Sequence, residues 1–401
     1  MSRDPDIPVL LFGAFDRHNF GDLLFPHVAA ALLVRKKLIF AGLRQRDLRR
    51  FGGHRVQALP QLVRQWKNRP LHIIHAGGEL LTCDAWQAAV MLLPPDQAQE
   101  TVMRFAARPE QGREWACRML GLSDLAPYVV SRDLFPGAGK VICNAVGGMD
   151  LDVRNPALQD EVRAKLRAAD WIGVRDGRTQ ALLSAAGIAA RLMPDPAVMV
   201  AELFGDTIGA RWRQGEVARV SNAFPEGYVA VQFSNDFGDD RTLAAIAAQL
   251  DGLALSSGQG IVFFRAGAAP WHDDVDAYRR IVTRLRAPSV IFNSLHLWDI
   301  CALIAGSRVY AGSSLHGRIV AMAYAVPRVS LRYPAQAGQL AKPEAFAAAW
   351  DPALPAAVEV HDIAHGIEQA LAADPAQLRD TARHLAARYR TEFAALCAGI
   401  Q

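Results

Sequence analysis

The segment RVYAGSSLHGRIVAMAYAVPRVSL, Arg308 to Leu331, carries the strongest local signal for chemistry. Arg308 to Ala311 reads as a strand and Gly312 permits a tight turn. Ser313 or Ser314 can cap a following helix that runs to about Ala325 before Pro327. His316 then falls in the first helical turn. Free N–H groups and the positive end of the helix dipole make that position attractive to a phosphate or carboxylate. A histidine placed beside such an anion can exchange a proton near neutral pH. The competing role is structural, a histidine that ties the turn together.

Other polar residues stand where strands hand over to helices. Asn19, Gly21 and Asp22 occupy the first crossing: Gly21 allows close backbone approach, while Asn19 or Asp22 can cap the helix or bind a sugar hydroxyl. Asp16 and His18 flank the same loop. Gly77, Gly78 and Glu79 form a second loop, where Glu79 can orient or deprotonate a hydroxyl. Gly147 and Gly148 make a third, mobile loop. Asp195, between two prolines, fixes a loop and can pair with Arg175.

The sequence WHDD, Trp271 to Asp274, lacks the spacing that brings ligands to one metal and reads as a solvated loop. No metal site is expected. No P-loop, no GxGxxG after a strand and no nucleophile elbow occurs.

The elements that must position these residues alternate. Pro8–Phe12, Leu38–Ala41, Leu71–His75, Val141–Asn144 and Trp171–Val174 read as buried strands separated by helices, the first helix running from about Asp22 to Arg35. A second series follows at Tyr228–Phe233, Gly260–Phe264, Val290–Phe292, Arg308–Ala311 and Arg328–Leu331. This rhythm predicts parallel sheets covered on both faces. The expected fold is α/β, with two Rossmann-like doubly wound domains facing a cleft. The mixed Gly, Arg and Pro content of Ala201–Pro225 suggests the domain boundary, giving 1–210, 211–374 and a C-terminal helix, 375–401, packing back on the body. That helix places Leu378, Ala382, Leu385, Tyr389, Phe393 and Leu396 on one stripe.

Bulk properties narrow the class. The 401 residues are 51% hydrophobic and 21% charged, an ordinary globular composition with a formal net charge of +4. So small an excess argues against a nucleic-acid surface. The five cysteines, Cys83, Cys117, Cys143, Cys301 and Cys397, are scattered, as expected of buried thiols in a reducing cytosol. Charges interrupt every apolar stretch before the roughly 20 residues of a membrane span. With no signal-peptide pattern, a cytoplasmic location is expected.

Five landmarks together resemble the polysaccharide pyruvyl transferase family. FGAFDRHNFGDLL, Phe12 to Leu24, is similar to the family's opening strand, Asn-x-Gly-Asp turn and helix. HAGGELL, His75 to Leu81, resembles its second Gly-rich turn. WIGVRDGRTQALLSAAGI, Trp171 to Ile188, resembles its strand, Arg-Asp and helix unit, and PDPAV, Pro194 to Val198, its Asp-Pro-Ala landmark. SSLHG followed by a small-residue helix and AVPRVSL resembles its C-terminal signature.

The resemblance implies a GT-B-like fold and transfer of a pyruvyl group from phosphoenolpyruvate to a sugar of a cell-surface glycan or its lipid-linked precursor. It makes phosphoenolpyruvate a co-substrate and implies no further cofactor. By resemblance His316 is catalytic and Arg175 is the donor-site arginine; from the residues alone, Arg175 can instead pair with Asp176 or Asp195. Two departures stand out. Ser314 replaces an arginine of the family's Arg-Leu-His, and Gln336 stands near a usual lysine. Arg318, Arg328, Arg332 and Arg265 are candidate replacements, with Arg318 first. The expected donor-binding set is thus Arg175, Arg318 and Ser314, and the acceptor-binding set Asn19, Gly21, Asp22, Gly77, Gly78 and Glu79. The partner is a glycan or lipid-linked saccharide; association at the membrane surface and oligomeric state stay open. The alternatives are a GT-B-like glycosyltransferase using another phosphorylated donor, and a glycan-binding member without catalysis.

Overall fold

The computed structural model describes residues 7–333 and 340–400. Gln336, the residue at the usual lysine position, lies outside them. Contacts divide the chain into two units, Met1–Pro196 with Arg388–Gln401, and Ala197–Ala387.

The first unit is built on β1 (Val9–Phe12), β2 (Leu38–Gly42), β3 (Arg46–Asp47), β4 (Arg55–Ala58), β5 (Leu71–His75), β6 (Ala138–Val146), β7 (Trp171–Val174) and β8 (Arg191–Leu192). They form one sheet in the order β3-β4-β2-β1-β5-β6-β7-β8, parallel except for the β3–β4 pair. β1 and β5 are buried along their whole length. The continuous apolar run of β1 is what a strand covered on both faces requires. The second unit carries β9 (Tyr228–Gln232), β10 (Gly260–Phe264), β11 (Ser289–Phe292), β12 (Val309–Gly312) and β13 (Arg328–Ser330). Its sheet is parallel throughout, in the order β11-β10-β9-β12-β13.

Each sheet reverses direction of winding once, between β1 and β5 in the first unit and between β9 and β12 in the second. These switch points leave a crevice at the carboxyl ends of the strands, where doubly wound proteins bind ligands. The loops after β1, β5, β9 and β12 lead to Asn19, Gly77, Ser234 and His316.

The expected boundary at 210/211 differs from the observed division at Pro196/Ala197. Ala201–Pro225 contains two helices, Val200–Arg211 and Gly215–Ala223, both within the second unit. Side-chain docking explains this. Trp212 Nε1 donates to the Ala302 carbonyl at 2.9 Å, Phe204 packs on Trp298, and Arg211 pairs with Asp299 at 3.3 Å. The 375–401 helix is likewise shared, since Pro375–Cys397 belongs to the second unit up to Ala387 and to the first from Arg388. Leu378 joins the second core. In the first unit the buried Tyr389 hydroxyl and Asn144 side chain hydrogen-bond at 3.0 Å. Tyr389→Phe should therefore lower stability by about 1–2 kcal/mol, because the buried Asn144 amide oxygen loses its donor while the NH₂ keeps the Ala76 carbonyl; the urea midpoint measures the loss.

Candidate functional site

In the first unit, the turn after β1 is shaped by Asn19. Its side chain accepts from the N–H groups of Gly21 at 3.1 Å and Asp22 at 3.4 Å, and so caps the Phe20–Leu32 helix. Asp22, in the first turn, is buried with Arg17 at 3.8 Å. Asp16 serves the fold: its carboxylate accepts from the Leu43 and Arg44 N–H groups and from the Tyr128 hydroxyl at 2.7, 3.1 and 2.9 Å. His18 packs edge-on against Phe51.

Gly77 and Gly78 lie at φ +127 and +99, left-handed backbone that other residues adopt only under strain. A Cβ at Gly78 would stand 3.1 Å from Asp22 Oδ1, so the turns after β1 and β5 touch. Glu79 then reaches Arg175: Arg175 Nη2 donates to Glu79 Oε2 at 2.8 Å and Nη1 to Asp195 Oδ2 at 3.2 Å. Arg175 and Asp195 are buried. Asp176 is occupied elsewhere, capping the Gly177–Ala185 helix through the Thr179 N–H. Gly147 belongs to this assembly and is not a loose loop. Its N–H donates to the Gly78 carbonyl at 2.8 Å, and a Cβ there would collide with Glu79 Oε2.

In the second unit, Ser314 caps the Leu315–Ala323 helix by accepting the Gly317 N–H at 3.2 Å. His316 is the second residue of that helix and is buried. Tyr310 of β12 lies under the turn and donates its hydroxyl to the Ser314 carbonyl at 3.1 Å. Gly312 and Gly317 admit the ring, since a Cβ on either would collide with its oxygen. The helix start is therefore seated on its own strand by close contact.

Two residues absent from the expected site complete this turn. Gln232, the last residue of β9, accepts the Ser314 N–H on Oε1 at 2.8 Å and donates from Nε2 to Asp273 Oδ1 at 2.9 Å. Asp273 Oδ2 accepts the N–H groups of Ala266 at 2.5 Å and Gly267 at 3.4 Å. Burial pushes its carboxyl up to about 7 against the opposing effect of these hydrogen bonds and of Arg265. The WHDD segment is thus not a solvated loop at Asp273, whose carboxylate is drawn inward by backbone donors. A single acidic residue in a polar run gives no sign of this. The lone polar residue within the apolar run Tyr228–Phe233 is the available signal for Gln232.

Arg318 stands corrected as a replacement cation. It is fully buried and its guanidinium is committed: Nε and Nη2 to Asp351 at 3.1 and 2.7 Å, and Nη1 to Ser330, Pro355 and Ala356. Arg328 joins the same aspartate, with Nη2 2.7 Å from Oδ1. Arg332 pairs with Glu344 and Glu359. Arg265, just beyond β10 and half-buried, is different. Among the described residues its guanidinium has no hydrogen-bond or ion-pair partner, and its charge acts on Asp273.

Among the described residues, no three His, Cys, Asp or Glu side chains group as a metal site would need, and no helix is long and apolar enough to cross a membrane. A cavity of about 520 Å³ lies apart in the first unit, lined by Trp86, Phe105 and Leu158 among others, and brings together none of the candidate residues.

Two parallel sheets of Rossmann order, each with polar turns at its switch point, make this a protein of the GT-B fold class. Solved structures agree. UDP-GlcNAc 2-epimerase from Rickettsia bellii superposes with TM-score 0.58 at 10% identity, covering 98% of this chain and 97% of that one. The Neisseria meningitidis enzyme bound to UDP-GlcNAc gives 0.53 at 11%, covering 98% and 99%. Trehalose 6-phosphate synthase from Burkholderia multivorans gives 0.51 at 13%, covering 98% and 97%. At these identities the likeness is one of fold. No curated protein matches the chain in sequence. The family model described as polysaccharide pyruvyl transferase matches residues 121–334, and the chain belongs to that family.

Asp351→Asn should leave the buried Arg318 and Arg328 without a full counter-charge and lower stability by about 3–5 kcal/mol, read from chemical denaturation. A loss below about 1 kcal/mol would contradict the assignment of both arginines to this pair.

Proposed function

We propose that this transferase-family chain moves a pyruvyl group from phosphoenolpyruvate, its co-substrate, to two hydroxyls of a sugar in a cell-surface glycan or its lipid-linked precursor, with no further cofactor. The observation that carries the reading is the seat of His316. It occupies the first turn of a capped helix at the switch point of the second sheet, inside the span that matches the family. His316 gives a proton to the methylene carbon of the enol phosphate and takes one from the attacking hydroxyl. The first hydroxyl adds at the adjacent carbon; the second displaces phosphate from it, and its proton leaves with the phosphate.

Arg175 is assigned to the donor by family resemblance, and its pairing with Glu79 and Asp195 means that donor binding would have to compete with two carboxylates. Ser314 offers the donor at most a hydroxyl beside the helix start. Arg265 is the better candidate for the missing cation, because nothing described holds its guanidinium and it lies close enough to Asp273 to act on it. Asn19, Gly21, Asp22, Gly77, Gly78 and Glu79 are proposed for the acceptor. Asn19 and the glycines would shape the surface, and Asp22 and Glu79 would meet hydroxyls.

The second reading keeps the fold and replaces phosphoenolpyruvate by another phosphorylated donor, such as a sugar nucleotide. The serine at position 314 and the burial of Arg318 favour it, since both leave fewer cations for a dianionic phosphate and a carboxylate together, a higher charge than a sugar nucleotide's diphosphate. Competition binding of phosphoenolpyruvate against a panel of sugar nucleotides separates the two.

His316→Ala should abolish phosphate release from phosphoenolpyruvate in the presence of acceptor while leaving the thermal transition in place; undiminished turnover would remove His316 from the reaction. Arg265→Ala should weaken phosphoenolpyruvate binding about 10- to 100-fold, the contribution of one charged hydrogen bond, as measured by calorimetry. An unchanged affinity would exclude Arg265 as the donor cation.

A further inference from the structure

We propose that Gln232 and Asp273 are positioning residues for His316, forming a strut that sets the first turn of the helix on which it rides. The proposal rests on the reading of His316 as the proton-handling group.

The strut crosses the switch point. It begins at the Ala266 and Gly267 N–H groups after β10, passes through the Asp273 carboxylate to the Gln232 side chain at the end of β9, and ends on the Ser314 N–H after β12. Its polarity is fixed. The Ser314 backbone offers an N–H there, so the Gln232 amide oxygen must face it and the NH₂ must face Asp273. Asp273 in its ionised form accepts from both sides.

Further bonds join the same two strand ends. The Ser313 N–H donates to the Gln232 carbonyl at 3.2 Å, and the Ser313 hydroxyl accepts the Ser234 N–H at 3.1 Å. The backbone between strand and helix is thereby held from two neighbouring loops. Ser314 is the cap, two residues before His316, so a shift of its N–H is passed directly to the imidazole. A displacement of about 1 Å at a reacting group can lower the rate about 100-fold.

Asp273→Asn tests the polarity. The new amide's oxygen can keep the Ala266 and Gly267 N–H groups, but its NH₂ now faces Gln232. The Gln232 oxygen can then accept from that NH₂ or from Ser314, and one N–H is left opposed to another. Adding Gln232→Glu repairs this, because a carboxylate at position 232 accepts from both. The experiment compares wild type, D273N and the D273N/Q232E double variant. It follows kcat and KM for phosphoenolpyruvate, amide hydrogen exchange at Ser314 to Gly317, and the thermal transition.

We expect D273N to lower kcat about 10- to 100-fold with KM within about threefold, and the double variant to recover most of the loss. Exchange at Ser314 should rise in D273N and fall back in the double variant. Recovery by the second substitution separates positioning from general damage, including the case in which D273N alone is too unstable to assay. A double variant no better than D273N, or D273N with wild-type kcat and unchanged exchange, overturns the proposal. If wild type does not turn over phosphoenolpyruvate yet the exchange pattern follows expectation, the strut stands and the donor assignment falls.

Discussion

A parallel strand that ends at the rim of a sheet must pass its chain to a helix whose first N–H groups have no partner in the helix itself. Much of the site follows from how each turn meets that demand. Asn19, Asp176 and Ser314 each turn a side-chain oxygen back onto the following N–H groups, after β1, β7 and β12. A residue engaged as a cap is held in place and less available to a ligand. The reactive possibilities therefore pass to its neighbours, which the cap orients without consuming: Asp22 near Asn19, Arg175 beside Asp176, His316 near Ser314.

Charge is distributed under a similar constraint. Arg175, Arg318 and Arg328 are all buried, and each is met by carboxylate. Burying a guanidinium unpaired would cost several kcal/mol, so the fold supplies Asp195 and Glu79 to one and Asp351 to the other two. The Arg318–Asp351–Arg328 group ties the His316 helix to β13 and to the chain at 351–356. It holds the body of that helix, while the strut of Gln232 and Asp273 holds its first turn. The proposed donor, with its phosphate and carboxylate, would also need a cation not committed to the fold, and within the second unit Arg265 meets that description.

Much of the scaffold is legible in the sequence. β5, β7 and β10 coincide with the expected strands, because each is a short run dominated by branched aliphatic and aromatic residues, the composition of a strand covered on both faces. The β3–β4 pair and β8 are not legible in the sequence: β3 and β8 are two-residue strands, and β4 alternates over only four residues, too short a run to stand out. The domain boundary expected within Ala201–Pro225 falls instead at Pro196/Ala197, because glycine and arginine on the faces of two helices give the same composition as a loop.

The sequence by itself determined the parallel sheets, the strand-to-helix turns that carry Asn19, Gly77 and His316, and the membership of the family. These depend on periodicity, caps and short motifs, all local properties of the chain. Only the tertiary structure decided which arginines are committed to the fold and which carboxylate is drawn inward. Arg265 and Arg318 are the same residue type, the first directly after a strand and the second six residues beyond one, and their difference lies in Asp351, which is 33 residues further along the chain from Arg318. The same holds for His316: its helical turn was local, but the Gln232 that secures that turn is 82 residues away from Ser314, brought there by a switch in strand order.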